Sequence, residues 1–112
     1  KIEPLQGQKY DVGQYFKPHF DYLFASEELF SIKESGNRAS TFILYLNDDF
    51  EGGTTNFSKL NFEIKPKKGM GLFFEGMKDS QLIQESLHEG KPVLSGTKYI
   101  ITAWIRERNW NQ

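Results

Sequence analysis

The sequence predicts a mainly β chain, a sandwich or jelly roll, and three observations predict it. The chain divides into many short strand-like stretches. Turn signals separate most of them, which is the pattern of closed or double-sheet β architectures. Aromatic residues make up 15%, with ten Phe, a composition that suits a β-rich core.

The elements follow in order. Strands are expected over residues 5–12, 19–23, 41–47, 54–57 and 60–65, then over 70–75, 83–87 and 98–107. Between them lie Gly36-Asn37, Asn47-Asp48-Asp49, Gly52-Gly53, Pro66-Lys67-Lys68-Gly69, Gly90 and Gly96. Gly52-Gly53 reads as a turn that needs positive φ; no helix follows that would make it a phosphate cradle. Residues 26–33 suit a short helix. The last strand alternates cleanly. Lys98, Ile100, Thr102, Trp104 and Arg106 fall on one face, and Tyr99, Ile101, Ala103 and Ile105 on the other.

With 112 residues and 38% hydrophobic content, the chain suffices for one small domain, residues 1–112. A formal net charge of −1 argues against a general nucleic-acid or anionic-membrane surface. There is no Cys, so neither a disulfide framework nor a thiolate site is available. No apolar run reaches the length of a membrane span. The first residues lack a signal-peptide pattern, which favours a cytoplasmic location as an expectation. The Lys65, Lys67, Lys68 run reads as a solvated turn. Asp48, Asp49 and Glu51 lack the spacing of a calcium loop.

The chemistry concentrates in few residues. There are only two histidines. His19 stands two positions before Asp21, and in an extended strand such residues share a face. With His88 as a second imidazole, the set becomes two His and one carboxylate. That set leaves open positions and suits non-haem Fe(II) that must also take a co-substrate and dioxygen. Lys98 lies among apolar neighbours on its strand face, and a buried ammonium is costly unless it meets an anion. A dicarboxylate with one end on the metal supplies that anion at its other end.

At this point the residues match a known family. The stretches "YDVGQYFKPHFDYL", "GNRASTFILYLND", "EGGTTNF", "IKPKKGMGLFF" and "SLHEGKPVLSGTKYIITAWIR" stand in the family's order and span Tyr10 to Arg106. The chain resembles the prolyl 4-hydroxylase branch of the Fe(II)/2-oxoglutarate-dependent dioxygenases. The resemblance implies a double-stranded β-helix with the metal near one mouth, and helices upstream that this chain lacks. It implies Fe(II) on His19, Asp21 and His88, 2-oxoglutarate on Lys98 with Tyr10 and Thr102, and ascorbate as reductant. Dioxygen is the second co-substrate, and succinate and CO2 are released. Arg38, Trp104 and Arg106 match positions around a substrate groove, for which a peptide or protein, and peptidyl proline first, is the expected occupant.

One position departs from the pattern. Prolyl members commonly carry Tyr three residues before the first metal His, and here Phe16 stands there. Tyr15 is one position earlier and would face the other way on a strand. The departure leaves open a dioxygenase with a non-prolyl substrate. A jelly roll that binds metal without catalysis, and a zinc hydrolase on a similar barrel, are the rivals from other classes.

Overall fold

The computed structural model describes residues 1–24 and 31–108. Twelve strands run in chain order: β1 Gln6–Tyr10, β2 Phe16–His19, β3 Arg38–Tyr45, β4 Glu51–Gly52, β5 Thr55–Phe57, β6 Phe62–Ile64, β7 Gly71–Glu75, β8 Met77–Lys78, β9 Gln81–Leu82, β10 His88–Gly90, β11 Val93–Ser95 and β12 Lys98–Arg106. Turns of 3-10 helix occupy Ser58–Leu60 and Gln84–Ser86. Residues 31–35 are helical, so the described part of the helix expected over 26–33 is present. Residues 26–30 of that expectation lie outside the described residues.

Two four-stranded antiparallel sheets form the body, in the orders β1-β12-β3-β7 and β2-β10-β5-β6. They face each other as a jelly roll. Ile43, Tyr45 and Ile100 of the larger sheet form the buried cluster, with Tyr10, Leu72, Phe74, Met70 and Ile64 packed against it. Phe57 of the smaller sheet meets Phe74 edge-on at 5.1 Å between ring centroids. The hydroxyls of Tyr45 and Thr55 join the sheets by a 2.6 Å hydrogen bond. Each fully buried Leu- or Phe-sized side chain contributes roughly 1.5–3 kcal/mol, so the facing stripes hold the sheets together.

The long strands follow the alternation of the sequence. On β3, Thr41, Ile43 and Tyr45 are buried while Phe42 is exposed; on β12, Lys98, Ile100 and Thr102 are buried while Tyr99 is exposed. The turn over residues 66–69 also forms as expected, with Met70 N–H donating to Lys67 O and Gly69 at φ +82°.

Two strands differ from expectation. The strand expected over 19–23 instead runs Phe16–His19, and Asp21 lies in the bend beyond it. Pro18 cannot donate to a ladder, and β2 is accordingly an edge strand. The strand expected over 83–87 is the 3-10 turn at Gln84–Ser86, closed by Ser86 Oγ donating to Ile83 O at 2.7 Å.

A bulge shapes the end of the central pair. Ile105 faces Ser40 but Arg106 faces Arg38, so Ala39 is the extra residue. Two guanidiniums therefore stand opposite one another. Glu3 sits between them, accepting from Arg38 Nε at 2.8 Å and Nη2 at 3.0 Å, and from Arg106 Nη1 at 3.3 Å. Arg106 also donates to Gly36 O and to both oxygens of Ser31. It is a buried anchor for the first residues and for the segment before β3. Replacing Arg106 with Leu leaves Glu3 to Arg38 alone and strands the Gly36 and Ser31 carbonyls. The expected cost is about 1–3 kcal/mol, read as a lower denaturant midpoint, with metal affinity unchanged.

Candidate metal centre

The bend after β2 and the start of β10 bring the three predicted ligands to one point. His88 pairs across the ladder with His19. One donor atom from each of His19, Asp21 and His88 lies within 4.8 Å of the others. Asp21 Oδ1 is 3.3 Å from His19 Nε2 and 3.6 Å from His88 Nε2.

Each ring is aimed by the backbone. His19 Nδ1–H donates to Lys17 O at 2.7 Å, and His88 Nδ1–H donates to Ser86 O at 2.8 Å. A carbonyl only accepts, so Nδ1 carries the proton and the neutral ring keeps its lone pair on Nε2. Asp21 is fixed likewise. Thr41 Oγ1 donates to its Oδ2 at 2.7 Å and leaves Oδ1 turned to the imidazoles. Two lone pairs and a carboxylate oxygen thus converge, an arrangement that repels itself until a cation sits among them. The two Asp21–imidazole separations can be spanned by a cation with metal–donor bonds of roughly 2.0–2.2 Å.

Electrostatics agree. Burial alone would raise the Asp21 pKa, but the neighbouring His19 and His88 imidazoles and the Thr41 hydroxyl outweigh it and hold it at about 2. Burial lowers the His88 pKa against the pull of Asp21. Both groups therefore favour their metal-binding forms at neutral pH. Phe57 and Phe74 pack on His88 at 5.5 and 4.8 Å, and Phe16 on His19 at 3.9 Å. The centre has an apolar lining on both sides. Phe16 lines the cavity, and Tyr15 is 62% exposed.

From this centre a cavity runs along β12, lined on one side by Trp104, Thr102, Ile100 and Lys98. Lys98 is 4% exposed, and no ion pair or hydrogen bond is formed by its ammonium among the described residues. Burial drives its pKa down to about 8. The Lys98 nitrogen lies 5.2 Å from the centroid of the Tyr10 ring. Gly53, at φ +63°, clears room for the lysine stem: a Cβ there would come within 3.1 Å of Lys98 Cδ. Glycine is needed both for the turn and for the passage of that chain.

The predicted residues do not all meet. Tyr10, Thr102 and Trp104 line the cavity with Lys98 and the metal set. Arg38 reaches it only through Trp104, with its guanidinium 4.2 Å from the ring centroid. Arg106 does not line it; at the far end of β12 its guanidinium is engaged by Glu3, Gly36 and Ser31. Three contributors escaped the sequence reading. Thr41 holds Asp21, and Thr55 and Gln8 line the cavity. A polar residue in register with Ile43 and Tyr45 on the inward face of β3 was the available signal for Thr41.

His19→Ala or His88→Ala should weaken Mn(II) or Co(II) binding by more than about 100-fold, since even partners behind a ligand are worth 10–100-fold. The far-ultraviolet circular dichroism should stay that of the parent. Parent-like metal titration in either variant removes that residue from the ligand set.

Comparisons with known proteins point the same way. Residues 5–106 match the model of the 2OG-Fe(II) oxygenase superfamily. Prolyl 4-hydroxylase 1 of Arabidopsis thaliana is 37% identical over 95% of this chain and 41% of its own length. A putative prolyl 4-hydroxylase of Acanthamoeba polyphaga mimivirus is 38% identical over 97% of this chain and 47% of its own. The chain thus spans less than half the length of these relatives. Among solved structures, the viral collagen prolyl hydroxylase of Paramecium bursaria Chlorella virus-1, in complex with 2OG, superimposes with TM-score 0.83 at 36% identity, covering 95% of this chain and 59% of that one. The match over nearly its full length, on a jelly roll with a paired-histidine and aspartate centre, places this chain in the 2OG-Fe(II) oxygenase superfamily, in its prolyl 4-hydroxylase branch.

Proposed function

We propose that this chain is the catalytic core of an Fe(II)- and 2-oxoglutarate-dependent dioxygenase that hydroxylates an unactivated C–H bond, with peptidyl proline as the leading substrate. The single observation that carries the reading is Lys98. A buried ammonium without a counter-charge among the described residues stands at one end of a cavity whose other end is a two-His, one-carboxylate set. Metal storage or scaffolding gives no reason to bury a cation there, whereas a metal-bound dicarboxylate does.

His19, Asp21 and His88 would hold the iron, and Lys98, Tyr10 and Thr102 the co-substrate. When bound, ferrous iron with dioxygen supplies the oxidising chemistry, in which 2-oxoglutarate becomes succinate and CO2 and one oxygen atom enters the substrate C–H bond. The chain's own work is placement. Lys98 neutralises the far carboxylate with three donors. Phe16, Phe57 and Phe74 keep water away from the imidazoles. Trp104, backed by Arg38, offers an aromatic wall to a substrate, and prolines preformed in an extended helix stack on such walls at low entropic cost. Similarity to prolyl 4-hydroxylases supports the prolyl reading. Phe16 supports a second one. Its ring lies against His19 where prolyl relatives commonly carry a hydroxyl, which favours a more apolar substrate on the same iron chemistry.

The test is incubation with Fe(II), ascorbate and 2-oxoglutarate. Succinate should form, and proline-rich peptides should gain one oxygen by mass spectrometry. No succinate under any condition overturns the dioxygenase; succinate without peptide oxidation across varied proline contexts overturns the prolyl substrate and leaves the apolar one.

Lys98 gives a pH signature. Its folded pKa of about 8 lies below the ordinary 10.5. The ammonium therefore costs stability at every pH below about 8, and that cost fades as pH rises from 8 toward 10.5. The shift corresponds to about 3 kcal/mol. Lys98→Met should stabilise the ligand-free protein by up to about that amount at pH 7 while weakening 2-oxoglutarate by roughly 30-fold or more. In the parent, 2-oxoglutarate affinity should be flat below pH 8 and fall above it; in Lys98→Met the fall should vanish. Calorimetry with Mn(II) in place of iron reads both.

A further inference from the structure

Gln8 is the one side-chain amide on the cavity wall among the described residues, and neither the family resemblance nor the ligand set assigns it a task. Strand register fixes its place. Tyr10 faces Lys98, Gln8 faces Ile100 and Gln6 faces Thr102, so Gln8 follows Tyr10 on the inward face one step toward the metal. On the other flank of β12, Thr102 faces Ile43 and Trp104 faces Thr41, whose hydroxyl holds the metal ligand Asp21. The cavity thus has an ammonium end at Lys98 and Tyr10 and a metal end at Asp21, with Gln8 and Thr102 between them. These two side chains are hydrogen-bonded, Thr102 Oγ1 donating to Gln8 Oε1 at 3.3 Å. The Gln8 amide nitrogen makes no hydrogen bond among the described residues, and the side chain is half-buried on the cavity. A half-buried amide with its acceptor engaged offers its two N–H donors to whatever fills the space.

We propose that Gln8 is a 2-oxoglutarate-binding residue: its amide, held by Thr102, donates to the oxygens at the metal-proximal, 2-oxo acid end of the co-substrate, opposite the end that Lys98 neutralises. This rests on the dioxygenase reading and deepens it. Lys98 is a point charge that accepts any carboxylate at its end. Gln8 adds a directed donor where 2-oxoglutarate differs from a plain dicarboxylate. A carboxylate or keto oxygen is the acceptor such a donor needs, and a peptide substrate approaching past Trp104 and Phe16 would meet those aromatic walls first.

The experiment is anaerobic calorimetry with the Mn(II)-loaded protein. Gln8→Leu should weaken 2-oxoglutarate about 10-fold or more, the scale of a hydrogen bond to a charged group, with Mn(II) affinity unchanged. Gln8→Glu keeps the shape and reverses the donor. It should weaken 2-oxoglutarate more than Gln8→Leu does, by charge repulsion. Thr102→Val should lose a similar factor, and the Gln8→Leu, Thr102→Val double variant should lose less than the product of the two, because they act as one pair. If both Gln8 variants bind 2-oxoglutarate as the parent does, Gln8 is not part of the co-substrate site and serves only to cap Thr102. Strict multiplicativity in the double variant overturns the paired arrangement. A parent protein that binds Mn(II) but no 2-oxoglutarate overturns the dioxygenase reading itself, an outcome distinct from both.

Discussion

The β3–β12 ladder is the constraint on which the rest depends. Apart from the two imidazoles, the groups of the site are on these strands or tied to them. β12 supplies Lys98, Thr102 and Trp104; β3 supplies Thr41, which grips Asp21. β1 adds Gln8 and Tyr10 by pairing with β12. The smaller sheet then needs to bring only the two imidazoles, which β2 and β10 do by standing side by side. A single slip of register would turn every inward residue of a strand outward, so the apolar stripe of Ile43, Tyr45 and Ile100 that fixes the register also fixes the site.

The cavity is kept in electrostatic tension. One end gathers lone pairs and a carboxylate, and the other holds an ammonium stripped of water. Neither end is satisfied by the protein. The Glu3 bridge between Arg38 and Arg106 stands in contrast: there the fold answers like charges with a counter-ion. Unanswered charge inside a fold that elsewhere answers it marks the place where a ligand completes the structure.

Much of this was legible in the residues, for identifiable reasons. Long strands carry enough alternation to reveal themselves, and β1, β3, β7 and β12 all did. Of the two- and three-residue strands, β5 and β6 were legible and β4, β8, β9, β10 and β11 were not, since alternation carries little information over so few positions. His19 and Asp21 were identified together through an i, i+2 strand argument, yet β2 ends at His19 and Asp21 is delivered by a bend. The residues were legible and the local geometry was not, because Pro18 and the edge position shorten the strand. Arg106 shows the opposite case. Its place in the period-2 pattern was read correctly, but its partners Glu3, Gly36 and Ser31 come from distant segments that alternation along one strand cannot reveal.

The tethering of both ends of the cavity to one ladder also makes it a gauge. The separation between the Lys98 level and the Thr41 level, to which Asp21 is tied, is set by backbone rise along β12 and β3, about 3.3 Å per residue. A sheet does not stretch to suit its guest. A molecule that must touch both ends is therefore selected by span before its chemistry is inspected, and one shortened by a carbon must let go of an end. A cavity of this kind loosens its grip on a ligand simply because the ligand has become shorter.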